Sequence, residues 1–133
     1  MKNRCLGIFL VLFAIFLAHP SYADDSCADP AKLTFIDSRL VQYGDIKEGD
    51  VASVDIRFRN DGGEPLEITG CFRTCNCTDV EYPQEPLKSG EEGVVHLSID
   101  TAGKYGKQTI VVRLKTNTPQ GYSIVRVDMN VIK

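Results

Sequence analysis

The chain has 133 residues, with 15 Lys and Arg against 18 Asp and Glu, a formal net charge of −3. That length suits one domain. The charges are interspersed and form no basic stripe, which argues against nucleic acid and anionic membrane surfaces as partners.

The N-terminus comes first. Met1-Lys2-Asn3-Arg4 is short and basic, and an unbroken apolar run follows from Leu6 to Ala18. At the helical rise of about 1.5 Å per residue this run covers ~20 Å, short of the ~30 Å hydrocarbon core. Ser21-Tyr22-Ala23 then places small residues at the first and third positions. The pattern predicts a secretory signal peptide over residues 1–23, cleaved after Ala23. Cys5 leaves with it. Neither Cys5 nor Cys27 sits in the pattern of a lipidated cysteine, so no lipid anchor is expected. Taking 23 residues from 133 leaves a mature chain of 110, with 13 basic and 18 acidic side chains and a net charge of −5. It has no second hydrophobic segment. The expectation is a periplasmic or secreted protein that does not contact the membrane after cleavage.

Residues 24–32 are polar, contain Cys27 and Pro30, and are expected to lead onto a domain spanning 33–133. Leu33–Ile36 and Leu40–Gly44 are short β-like runs. Val51–Asn60 alternates strictly. Val54, Ile56 and Phe58 fall on one face, and Asp55, Arg57 and Arg59 on the other. That period of two marks a half-buried antiparallel strand. Asn60-Asp61-Gly62-Gly63 supplies residues that tolerate positive φ in a tight reversal. Pro65–Thr69 resumes the alternation with Leu66 and Ile68 inward, and leads into Cys71.

Pro83 and Pro86 argue against a central strand after Thr78, because proline cannot donate to a ladder. Lys88–Gly93 is a turn. Val95, Leu97 and Ile99 alternate inward, as do Ile110, Val112 and Leu114. In the last strand Val125, Val127, Met129 and Val131 share a face. Turn signals separate these runs at Asp100–Gly106 and Asn117–Gly121. Beyond the signal no segment has an amphipathic 3.6-residue period. Several short strands with turns between them predict an all-β antiparallel sandwich of about seven strands.

An ordered set of features resembles a known family. It comprises Tyr43-Gly44-Asp45-Ile46, Phe58-Arg59-Asn60, Gly63-Glu64-Pro65-Leu66-Glu67-Ile68, Cys75-Asn76-Cys77-Thr78, Pro86-Leu87-Lys88-Ser89-Gly90, Gly106-Lys107 and Thr116-Asn117. Together these are similar to the exported bacterial domain of unknown function 1573, over about 90 of the 110 mature residues. The resemblance implies an immunoglobulin-like sandwich, similar to ASH and HYDIN modules, with no assigned activity. The family motif commonly reads Cys-Gly-Cys-Thr. Asn76 stands where glycine is usual, and asparagine is the residue that best replaces glycine at positive φ. Cys27 and Cys71 are additions to the family's two cysteines.

Four cysteines in an exported chain of this size suggest disulfides, and three pairings are open. A Cys27–Cys71 bond closes a long loop, worth ~4 kcal/mol in the chain-entropy model. A Cys75–Cys77 bond closes three residues and is worth under ~2 kcal/mol. In an extended strand, positions two apart sit ~6.5–7 Å apart, at the limit of disulfide geometry. The favoured arrangement is a Cys27–Cys71 staple, with Cys75 and Cys77 as a kinked disulfide or a close thiol pair. The crossed alternative joins Cys27 to Cys77 and Cys71 to Cys75.

Two thiolates this close can also chelate a soft ion such as Cu(I) or Zn. The supporting ligands are few: His96 is outward and Met129 inward, so no cofactor or metal is expected. Catalysis lacks a nucleophile–histidine–acid set, and no helix follows the cysteines to lower a thiol pKa. The expected function is a non-enzymatic structural or interaction module with a protein partner in the cell envelope. The alternative is a thiol-redox or soft-metal protein using Cys75 and Cys77.

Overall fold

The computed structural model describes residues 29–133. The expected signal segment, its expected cleavage after Ala23, and Cys27 lie outside the described residues. Eight strands are present: β1 (Leu33–Phe35), β2 (Leu40–Lys47), β3 (Val51–Asn60), β4 (Ile68–Arg73), β5 (Thr78–Glu81), β6 (Glu92–Asp100), β7 (Gly106–Thr116) and β8 (Tyr122–Ile132). They form two four-stranded sheets, ordered β1-β3-β6-β5 and β2-β8-β7-β4.

The alternating segments make the sandwich interior. Val54, Ile56 and Phe58 of β3, Val95, Leu97 and Ile99 of β6, and Ile110, Val112 and Leu114 of β7 are all buried. So are Val125, Val127, Met129 and Val131 of β8. Their neighbours face water, as the period of two requires. At about 1.5–3 kcal/mol per fully buried aliphatic or aromatic side chain, these two facing rows supply the dominant favourable term in folding.

Two features depart from the expected seven antiparallel strands. First, β5 is a strand. It is the edge of its sheet, pairs only with β6, and ends at Glu81 before Pro83, so the prolines cost it no ladder bond. Second, β2 runs parallel to β8, from Leu40↔Arg126 to Lys47↔Ile132. The chain changes sheets at Ser38. There the side-chain hydroxyl bonds both the N–H (3.2 Å) and the carbonyl (2.8 Å) of Leu40, a local turn between β1 in one sheet and β2 in the other. A bulge in β2 at Gln42/Gly44 places Gly44 at φ 88°, a conformation suited to glycine.

One end of the sandwich closes around Asn60. It is fully buried, and not an exposed turn residue. Its Nδ2 donates to the carbonyls of Glu64 (2.8 Å) and Leu87 (3.0 Å). Its Oδ1 accepts from the N–H groups of Gly62 (2.9 Å) and Lys32 (3.3 Å). Gly62 and Gly63 do not take positive φ. Gly62 is needed for space, since a Cβ there would lie 2.0 Å from the Pro30 carbonyl oxygen. The last residues of the polar leader therefore pack into the fold. Ala31 is buried, and the Asp29 carbonyl accepts from Gly63 and Glu64, both at 2.9 Å.

Candidate functional site

Cys75 and Cys77 lie on the chain's crossing from β4 to β5. Each of these strands is the edge of its own sheet, so the crossing spans the open side of the sandwich. Thr74 ends the β4 ladder. Its N–H donates to the Val111 carbonyl, and its hydroxyl accepts from the Val111 N–H, both at 3.1 Å. A β-turn follows, closed by Thr78 N–H to the Cys75 carbonyl at 3.2 Å. The Asp100 N–H donates to the Cys77 carbonyl at 2.9 Å and fastens the turn to the end of β6.

Cys75 and Cys77 are joined by a disulfide, with Cα atoms 5.1 Å apart. The turn shortens the ~6.5–7 Å spacing of an extended strand into disulfide range. The route differs from the one expected for Asn76. Among the described residues no non-glycine residue has positive φ, so Asn76 turns the chain without it. A turn whose central residues both keep negative φ already brings the two sulfurs together, so the asparagine's tolerance of the left-handed region is not used. Both cysteines are half-buried and pack against the hydrophobic core.

Cys71 sits on β4 opposite Leu114, on the inward face, and is half-buried. It has no disulfide partner among the described residues, and Cys27, its expected partner, lies outside them. The Cys75–Cys77 bond sets aside the crossed pairing of Cys71 with Cys75. On the same inward side of β4, Arg73 has a buried Nε with no hydrogen-bond partner among the described residues. The other soft-ligand candidates lie elsewhere. Met129 is in the core. His96 is on the outer face of the β3–β6–β5 sheet, where Nδ1 bonds the Asp55 carboxylate. That bond raises the His96 pKa above its ordinary value, against a smaller opposing effect of burial. No group of three or more His, Cys, Asp or Glu side chains among the described residues is arranged to hold a metal ion.

A second constellation emerges only from the strand register. On the outer face of β4, β7 and β8, Gly70 lies opposite Lys115 and Lys115 opposite Tyr122. In the next row Phe72 lies opposite Arg113 and Arg113 opposite Ile124. Phe72 is 66% exposed and Tyr122 47%. The Arg113 guanidinium stands 4.8 Å from the Tyr122 ring centroid, in cation–π range. Phe72, Arg113, Lys115 and Tyr122, with Gly70, Cys71 and Gly121, frame a shallow, mainly apolar cleft of about 370 Å³. The outward alternation of β7 marks Arg113 and Lys115 in the sequence. Phe72 and Tyr122 fall outside the strand limits that alternation sets, so the cleft was not legible there.

The opposite outer face has the other charge. Asp79 and Glu81 of β5, Asp55 of β3 and Glu92 of β6 lie on it, with Arg57 and Arg59. Both arginines are already paired there. Arg57 bonds Asp37 (2.9 Å), and its side-chain hydrogen bond holds the Asp37 carboxyl down at about 2. Arg59 bonds Asp61 at 2.6 Å.

Residues 34–131 match the profile of the family described as protein of unknown function, DUF1573. Among solved structures, a protein of unknown function from Porphyromonas gingivalis W83 superposes with TM-score 0.68 at 16% identity, covering 79% of this chain and 49% of that one. The VesB protease of Vibrio cholerae superposes with TM-score 0.58 at 17% identity, covering 76% of this chain and 32% of that one. The ASH/PapD-like domain 7 of human CEP192 superposes with TM-score 0.56 at 8% identity, covering 80% and 87%. These likenesses show an immunoglobulin-like all-β sandwich. The chain spans about half the length of the Porphyromonas protein and about a third of VesB. No curated protein matches it.

Proposed function

The chain belongs to the DUF1573 family of proteins of unknown function, and from that footing we propose that it is an exported, non-enzymatic binding module of the cell envelope. The signal-like residues 1–23 support export. The Cys75–Cys77 disulfide accords with it, since disulfides persist in oxidising compartments.

The outer face of β4, β7 and β8 carries the binding half of the reading. Single exposed apolar residues are ordinary, but Phe72 and Tyr122 flank one cleft and share it with two cations. Aromatic side chains and arginine are the types enriched at protein interfaces. A thiol-redox or Cu(I)/Zn role for Cys75 and Cys77 has in its favour only the nearness of the two sulfurs. A disulfide that closes the β4–β5 crossing already accounts for that nearness.

The test is site-specific photo-crosslinking in the native host. A photoreactive side chain is placed at 72 or 122 on this face, and at 55 or 94 on the opposite one. The proposal expects a discrete protein adduct from 72 and 122 alone. Adducts only from 55 and 94, or none from any position, would overturn it.

A further inference from the structure

We infer that the partner presents an extended, acidic peptide segment, which adds alongside β4 and lays one bulky side chain over Gly70 into the cleft. This rests on the outer β4–β7–β8 face being the binding surface. Three observations lead to this ligand.

The first is the open edge. β4 ends its sheet, and among the described residues nothing pairs with its outer side. Thr74 N–H bonds the Val111 carbonyl, so the antiparallel alternation makes Phe72↔Arg113 and Gly70↔Lys115 the hydrogen-bonded pairs. The main-chain groups of Cys71 and Arg73 then point outward, in the spacing an added strand would meet.

The second is the gap at Gly70. A Cβ built there would find nothing within 4 Å. On a strand added beside β4, the side chain opposite Gly70 therefore has no β4 side chain in its way. It can lean inward toward Lys115 and Tyr122.

The third is charge. The mature chain is acidic, yet this face offers Arg113 and Lys115 beside the cleft, while Asp55, Asp79, Glu81 and Glu92 lie on the far side. A ligand with carboxylates flanking its bulky residue is drawn to the cationic face and repelled by the other. A basic ligand is steered away.

The mature chain, residues 24–133, is immobilised with its disulfide intact and panned against a random dodecapeptide display library. The selected consensus is synthesised with a fluorescent label. The expected consensus has acidic residues flanking one bulky apolar residue. Gly70→Leu, at a position whose backbone is not in the left-handed region, fills the gap without strain. It is expected to weaken binding by at least about tenfold, the scale of a central interface residue. Arg113→Glu should weaken it similarly, and added salt should weaken it in the parent. Hydrogen exchange should slow at the Cys71 and Arg73 amides on binding. A basic or uncharged consensus, unchanged affinity in Gly70→Leu, or unprotected Cys71 and Arg73 amides would overturn the inference. A concentration-dependent dimer abolished by Gly70→Leu would also overturn it, by assigning the face to a second copy. Adducts from positions 72 and 122 without an acidic consensus would discard the peptide and keep the binding face. Neither adducts nor a cleft-dependent peptide would discard both.

Discussion

Replacing Asn60 by alanine should be among the most damaging polar substitutions in this domain. The side chain is fully buried and serves four main-chain groups. Their losses are unequal. The Leu87 carbonyl also accepts from Leu66 N–H at 2.8 Å, so it keeps a partner. The Lys32 N–H bond is long at 3.3 Å and contributes least. The Gly62 N–H (2.9 Å) and the Glu64 carbonyl (2.8 Å) depend on Asn60 most directly. A buried group left without its partner costs about 1–3 kcal/mol, so two such groups imply a loss of about 2–6 kcal/mol. Domains of this size are typically stable by only about 5–15 kcal/mol. The assay is urea denaturation followed by circular dichroism, since the chain has no tryptophan. The midpoint should fall sharply at an unchanged slope. A loss under about 1 kcal/mol, at the level of an ordinary exposed site, would refute the account of Asn60 as the hub that closes this end of the sandwich.

Gly62→Ala should also destabilise strongly, because its Cβ would collide with main-chain atoms of Pro30, Ala31 and Lys32. Thermal unfolding would show a much lower Tm and proteolysis would remove the residues before Leu33; a Tm within a few degrees of the parent contradicts the packing. The paired change Cys75→Ser and Cys77→Ser should cost under about 2 kcal/mol, because the bond closes so short a loop. Thiol titration of the unfolded, unreduced parent should find neither cysteine free, whereas two free thiols that bind Cu(I) tightly would favour the soft-metal alternative. His96, hydrogen-bonded to the Asp55 carboxylate, should make stability pH-dependent. Its folded pKa is raised, so its contribution is complete below the unfolded value near 6.5 and is lost as pH rises through the folded value. His96→Gln should flatten the dependence of Tm on pH in that window, and an unchanged slope would remove the pair from the account.

The sandwich was legible because its inner residues repeat every two positions over long stretches of β3, β6, β7 and β8. Each of those strands is half-buried, and the local pattern reports that burial directly. β5 escaped because four residues before two prolines carry almost no period. The parallel pairing of β2 with β8 is a long-range choice that no local window records. At the cysteines, spacing left Cys75 and Cys77 at the limit of disulfide reach and a kinked bond as one of several open arrangements; the bond is there, but Asn76 turns the chain without the positive φ expected of it. Asn60 stood in a stretch rich in turn residues, so its burial was hidden by its type. The cleft was missed for a different reason. Phe72 lies beyond the predicted limit of its strand and Tyr122 ahead of the predicted start of its own. Only the register of β4 on β7 and β7 on β8 brings them to one face.

The central claim is that this face binds. It is tested most directly by amide hydrogen exchange of residues 24–133, alone and with the partner identified from the position-72 adduct. The account expects slowed exchange over Gly70–Arg73, Arg113–Lys115 and Tyr122–Ile124, with β3 and β5 of the opposite sheet unchanged. Protection confined to Val51–Arg57 and Thr78–Glu81 would contradict it.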